Sequence, residues 1–158
     1  MTQAYNCLMD KVILMIHPTT GALAILATLW LFVEALNASA SNRARLWWSS
    51  IIGAVMMVAT AVVGGYWYVN FYAADKAAIL AGPWPVAHTL VMETKEHLFF
   101  VTLVLSLLLP IIVCKEDLAA NRGAKTLVLV VAGLVVVSSF AIEGAGAFIS
   151  MAARISGH

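Results

Sequence analysis

The chain has 158 residues, 63% of them hydrophobic and 11% charged, with a mean hydropathy of +0.95. A water-soluble domain is about half apolar and about a quarter charged, so these values exclude an ordinary soluble globular protein and require lipid around the chain. A formal net charge of +1, with no basic tract and no acidic tail, excludes a nucleic-acid partner, and the length fits one domain, 1–158.

The first ten residues are mixed and polar. The apolar run that follows is longer than the core of a secretory leader, so it is expected to be a span and not a cleaved segment. It predicts a first transmembrane helix over about 12–36. A polar loop from Asn37 to Arg45 leads into a second span over about 47–72. Ala73 to Ala81 predicts a short helix lying on the membrane surface, broken by Gly82-Pro83-Trp84-Pro85. A third span follows over about 88–113. Lys115 to Lys125 forms the next polar loop, with Asn121-Arg122-Gly123 as its turn, and a fourth span is expected over about 125–150. The fold class is therefore all-α: an integral membrane four-helix up-down bundle with a short interfacial segment between helices 2 and 3.

Four crossings put both termini on one side, side A, and the two polar loops on side B. Side B carries Arg43, Arg45, Lys115, Arg122 and Lys125, against Lys11, Lys76, Arg154 and the boundary residue Lys95 on side A. The positive-inside rule then makes side B cytoplasmic, with both termini periplasmic in a bacterial inner membrane. Cys7 and Cys114 fall at opposite faces, too far apart for a disulfide. Trp47 and Trp48 mark the side B boundary, and Tyr66, Trp67, Tyr68, Phe71, Tyr72 and Trp84 the side A boundary. They read as interfacial belts, or alternatively as the aromatic lining of a cofactor or quinone site.

Ionisable groups inside membrane helices are costly and mark function. His17 lies about a turn inside the first span, and the third span opens with His88 and then Glu93-Thr94-Lys95-Glu96-His97. Glu143 lies about two turns from the end of the fourth span, and Glu34 sits at the side B boundary. In an up-down bundle His17 and His97 reach the same depth below side A, level with Gly64-Gly65 on helix 2 and with Gly144 and Gly146 on helix 4. One diagonal of the bundle then carries histidines and the other glycines. That arrangement suits a planar macrocycle, with two imidazoles as axial ligands and its edges passing between residues that lack side chains. Helical phase groups His17, Gly21, Ala24 and Thr28 on one face, and Ser50, Gly53, Met57, Thr60, Gly64 and Tyr68 on another. It also groups Glu93, His97 and Phe100, and in a continuous α-helix it turns His88 to the face opposite His97. His88 is left to cap the helix, meet headgroups or bind something outside.

In His17, His97, Gly64, Gly65, Gly144 and Gly146 the chain resembles the four-helix membrane cytochromes b in bundle plan, with no family-specific motif and without a second histidine pair near side B. The resemblance implies one b-type haem, ligated by His17 and His97, with Lys95, Lys76 or Arg154 neutralising its propionates. It implies electron exchange between quinone and a carrier on side A, such as a c-type cytochrome or another redox subunit. Glu143, and Glu93 with it, would act as proton acceptors in quinol oxidation.

Two other classes stay open. Glu93 and His97, at i and i+4, could join His17 and Glu143 around a non-haem metal, although the repeated Glu-x-x-His of di-iron bundles is missing. The chain could also be a non-catalytic subunit of a larger membrane complex. Each singled-out residue has a plain structural alternative as well. The glycines could be packing devices, Glu93 to His97 a polar collar at the headgroups, and His17 a satisfied core histidine. No nucleotide-binding loop, serine nucleophile motif or Cys–His pair is present.

Overall fold

The structure, a computed structural model, describes the backbone of residues 2–157 and the side chains from residue 11 onward; Cys7 lies outside the described side chains. Four long helices dominate: α1 (Thr2–Leu36), α2 (Arg43–Ala81), α3 (Glu93–Lys115) and α4 (Arg122–Ile155). A 3₁₀ turn at Ala40–Asn42 leads into α2, and a π-helix at Ala87–Met92 leads into α3. The stretches Lys11–Leu36, Ala40–Ala81, Ala87–Lys115 and Arg122–Ile155 are each long and apolar enough to cross a membrane. The chain is thus a multi-pass α-helical membrane protein. α1 packs on α2, α2 on α3, α3 on α4 and α4 back on α1, while α2 and α4 touch only slightly across one diagonal.

Two boundaries differ from the sequence expectation. α2 does not stop at 72; it runs unbroken to Ala81 over 39 residues. At 1.5 Å per residue that is about 58 Å, far beyond the roughly 30 Å of a hydrocarbon core. Residues 73–81 are therefore the last turns of α2 projecting on side A, not a separate surface helix. Pro83 and Pro85 explain the stop, since neither can continue a helix ladder. The second difference is the π-helix, where one residue per turn is added to the α repeat.

Pro18 and Pro110 sit inside α1 and α3. Membrane helices tolerate them when hydroxyls satisfy nearby carbonyls. Here Thr19 Oγ1 donates to the Met15 carbonyl (2.8 Å), Thr20 Oγ1 to the His17 carbonyl (2.9 Å), and Ser106 Oγ to the Leu103 carbonyl (2.8 Å). Thr102 Oγ1 also donates across to Ser138 Oγ at 2.9 Å, tying α3 to α4.

The side B turn is organised by Asn42. Its Nδ2 donates to the Glu34 carbonyl (3.0 Å) and carboxylate (2.8 Å), and its Oδ1 accepts from the Ser39 amide (2.9 Å). Arg45 pairs with Glu34 at 2.7 Å, so Glu34 does lie at that boundary.

The apolar interior is split in two. One cluster fills the side B part of the bundle, with Ala24, Leu31, Ala35, Met57, Leu109, Val113, Val128 and Val135. A second fills a cap on side A, with Tyr72, Ile79, Ala87, Met92, Ile149, Ala152 and Ala153. In the cap Trp84 stacks on Phe148, ring centroids 5.5 Å apart and 7° from parallel. Between the two clusters lies a layer that carries His17, Gly21, Thr60, Gly64, Lys95 and Glu143.

Candidate functional site: a polar layer between two apolar cores

The layer begins at the α1–α2 contact. His17 Nδ1 lies 3.1 Å from the Thr60 carbonyl oxygen. A carbonyl only accepts, so Nδ1 carries the proton, and in the neutral ring Nε2 is left as a bare acceptor. The imidazole can reach that carbonyl because Gly64 stands four residues on, where a side chain would cover it. A Cβ built on Gly64 would lie 2.6 Å from His17 Nδ1. Thr60 Oγ1 donates to Thr20 Oγ1 at 3.0 Å and closes the same contact.

Glu143 reaches the layer from α4. A Cβ built on Gly21 would collide with its carboxylate oxygen and would lie 3.8 Å from Thr60 Cγ2. Gly21 is thus where α1, α2 and α4 meet, and it is open because glycine leaves room for the carboxylate. Lys95 comes from α3. Its ammonium lies 3.7 Å from the Cβ position of Gly146, and its charge acts on both Glu143 and His17. No close ion pair joins Lys95 to Glu143 among the described residues, although each charge acts on the other. One turn before Glu143, Ser139 is buried and its Oγ is the one buried side-chain N or O atom without a hydrogen bond among the described residues.

His97 and Glu93 lie elsewhere. Both are exposed on α3, and His97 Nδ1 is held by its own helix, 2.6 Å from the Glu93 carbonyl. The physical reason is phase: Lys95 faces the bundle interior, and two residues further on is about 200° round an α-helix. The grouping of Glu93, His97 and Phe100 on one face holds, but that face points outward.

The glycines divide in the same way. Gly64 seats the His17 ring and Gly146 seats the Lys95 chain, whereas Gly65 and Gly144 are exposed and have nothing within 4 Å of their Cβ positions. A haem held between His17 and His97 within one chain does not fit these residues. His97 faces away from the bundle, and the space before Gly64 and Gly21 is filled by His17 and Glu143. Nor do three or more His, Cys, Asp or Glu side chains converge as a metal-ligand set among the described residues.

His88 does lie opposite the exposed His97, as nine residues of helical spacing require. That turns it inward and not to headgroups or an outside ligand: it is buried at 5% exposure, with Nδ1 3.1 Å from the Tyr72 hydroxyl. Tyr72 is itself only 2% exposed and stacks on Tyr68 at 5.0 Å, so it belongs to the cap core and not to an interfacial belt. Tyr66, Trp47 and Trp48 are exposed as a belt requires.

Sequence reasoning placed Gly21 and Thr60 on the correct faces without giving them a role. It passed over Ser139 altogether. Gly64 at i+4 from Thr60 was the available signal, since that spacing uncovers a carbonyl. No family model, curated protein or solved structure matches this chain.

Proposed function

We propose that this chain is a membrane subunit of a quinol-oxidising electron-transfer assembly, and that its polar layer receives the quinol head group. The observation that carries the reading is Ser139 Oγ, buried and without a partner one turn from Glu143, in a layer that also holds Lys95 and an imidazole with a bare Nε2. Buried polar atoms in native proteins are satisfied, and a polar ligand group in the layer would satisfy this one. Apolar helices on all sides suit a ligand delivered from the bilayer. A shallow, mostly apolar recess of about 400 Å³, lined by Lys11, Val12, Met15, Ile16, Thr19 and Thr20, marks the outer face of α1 beside the layer. An isoprenoid chain suits that surface.

In the proposed reaction a quinol loses two protons and two electrons and leaves as the quinone. Glu143 and His17 Nε2 are the proton acceptors, and Lys95 offsets the negative charge that forms on the deprotonating oxygen. The electrons leave singly to a haem-type acceptor on a partner, a redox subunit or a c-type cytochrome on side A. The basic residues Arg43, Arg45, Lys115, Arg122 and Lys125 support side B as the cytoplasmic face of a bacterial inner membrane. The protons would then be released on the periplasmic side.

The test is equilibrium binding of a short-chain quinone to the full chain in lipid nanodiscs. Saturable binding is expected, weakened about tenfold, or 1.4 kcal/mol, by Glu143→Gln and by Ser139→Ala, with His97→Ala unchanged. Absence of saturable binding, or equal binding by all variants, would overturn the proposal.

A further inference from the structure

His17 sits where α1 is weakly tied. The next residue is Pro18, which has no amide hydrogen, so the helix lacks the bond that would reach back to the Leu14 carbonyl. No residue from Lys11 to Thr20 is fully buried, and the cap core contains no residue of α1 among the described residues. Backbone and packing leave the ring to be placed by side-chain bonds.

Those bonds close a circuit across the α1–α2 contact. His17 Nδ1 donates to the Thr60 carbonyl at 3.1 Å, Thr60 Oγ1 to Thr20 Oγ1 at 3.0 Å, and Thr20 Oγ1 to the His17 carbonyl at 2.9 Å. Each hydroxyl has one proton to give. The carbonyls of Met56 and Ile16, at 2.8 and 3.1 Å, are the own-helix alternatives for Thr60 and Thr20, so the circuit competes with ordinary back-bonding.

We infer that Thr20 is a positioning residue for His17. Its hydroxyl ties α1 to α2 about one turn from the imidazole, keeps Nδ1–H on the Thr60 carbonyl, and so keeps Nε2 as the bare acceptor. The use of that acceptor rests on the proposed quinol site; the tautomer does not.

The neighbours do not supply this function. Gly64 gives the ring room to reach the carbonyl but offers no side-chain bond to hold it there. Thr19 bonds only its own helix, at the Met15 carbonyl. Thr20 is also the one residue lining the recess on α1 whose side chain is bonded to another helix among the described residues. An isoprenoid chain in the recess would therefore meet the residue that sets the imidazole. The tautomer matters because a neutral imidazole carries one proton: once Nδ1 loses its acceptor, the proton is free to move to Nε2, and that nitrogen then donates where it had accepted.

The test reads the His17 tautomer by ¹⁵N NMR. It uses the full chain in nanodiscs without quinone, at a pH where the ring is neutral, with the signals assigned by His17→Gln. The unaltered ring is expected as Nδ1–H. Thr20→Val keeps the shape and removes the hydroxyl, and is expected to lower the ratio of Nδ1–H to Nε2–H about fivefold, the shift that one hydrogen bond supports. Thr60→Val breaks the circuit from α2 and is expected to do the same, which keeps the test open if Thr20→Val does not fold. Thr20→Ser restores the hydroxyl and should restore the ratio. Thr28→Val removes a hydroxyl bonded only to the Ala24 carbonyl of its own helix and should leave the ratio unchanged. An Nε2–H ring in the unaltered chain, an unchanged ratio in Thr20→Val, or an equal shift in Thr28→Val would overturn the inference. Because no quinone is present, failure here is distinct from failure of quinone binding. A chain that binds quinone with an unchanged ratio in Thr20→Val keeps the proposed function and loses the role of Thr20. One that shows the shift and binds no quinone keeps Thr20 as a positioning residue and loses the proposed function.

Discussion

The imidazole of His17 occupies the place where a side chain on Gly64 would stand. The built Cβ of Gly64 lies 2.6 Å from His17 Nδ1, and the same ring nitrogen is bonded to the Thr60 carbonyl one turn earlier on α2. Gly64 is thus shaped for a histidine of its own chain, and the adjacent Gly65 faces open space.

That difference makes the glycine pair its own control. Gly64→Ala is expected to displace the imidazole, break the Thr60 bond and destabilise the protein by about 1–3 kcal/mol, the usual cost of overpacking. Gly65→Ala meets nothing and gains helix propensity, so it should be neutral or stabilising by up to about 1 kcal/mol. Thermal unfolding in nanodiscs checks both, and the ¹⁵N resonance of His17 Nδ1 reports whether its hydrogen bond is lost.

Much of the architecture was legible in the sequence, because the bilayer requires long apolar helices and the polar loops between them stand out. The phase groupings on α1 and α2 were legible as well: Gly21, Ala24, Thr28, Gly53, Met57 and Thr60 are all buried. What could not be read was which face of α3 points inward. In a soluble helix the outward face is polar, but here lipid makes it apolar too, and the usual contrast vanishes. Small hydroxyls were the better guide, since Thr102 and Ser106 line the buried face that Lys95 continues toward side A. The burial of His88 follows once that face is known, since helical spacing sets it opposite the exposed His97. The extension of α2 to Ala81 escaped notice because hydropathy falls after Tyr72 while the helix continues.

The placement of His97 yields a sharp test of the haem expectation. His97 is exposed and bonded to its own helix, so His97→Ala should leave the unfolding temperature within about 2 °C, as surface changes fall within about 0.5 kcal/mol. His17→Ala should lower it measurably through loss of the Thr60 bond, worth about 1 kcal/mol. Visible spectra of both variants are the second readout. A reduced b-type band that disappears in both would show that the two histidines share an iron, against the geometry described here.

On side B the expected weak point is Asn42. Its side chain is 3% exposed and bonds to Glu34, Ser39 and Asn37 together. Asn42→Ala leaves several of those groups unpaired and is expected to cost about 1–3 kcal/mol. Arg45→Ala removes only a surface ion pair, which solvent screens, and is expected to cost clearly less. Equilibrium unfolding of the two variants should separate by that difference, and equal losses would show that the turn is held by charge instead.

The most demanding prediction concerns Lys95 and Glu143. Their charges act on one another in the polar layer without a direct bond, and each is partly enclosed by apolar helices. Removing one charge leaves the other without compensation. A fully buried contact pair loses about 3–5 kcal/mol in that case, so this looser and partly exposed pair should lose about 1–2 kcal/mol. Lys95→Met and Glu143→Gln are each expected to destabilise by that amount. The double variant should recover most of it, because both charges are then gone and the site is neutral. A double-mutant cycle in unfolding free energy measures the recovery directly. Simple additivity of the two losses would show that the charges do not act on each other, and would remove the electrostatic basis for Lys95 as the partner of a deprotonating quinol oxygen. Recovery of stability together with loss of quinone binding would separate the two roles, since the pair would then be dispensable for the fold and required for the ligand.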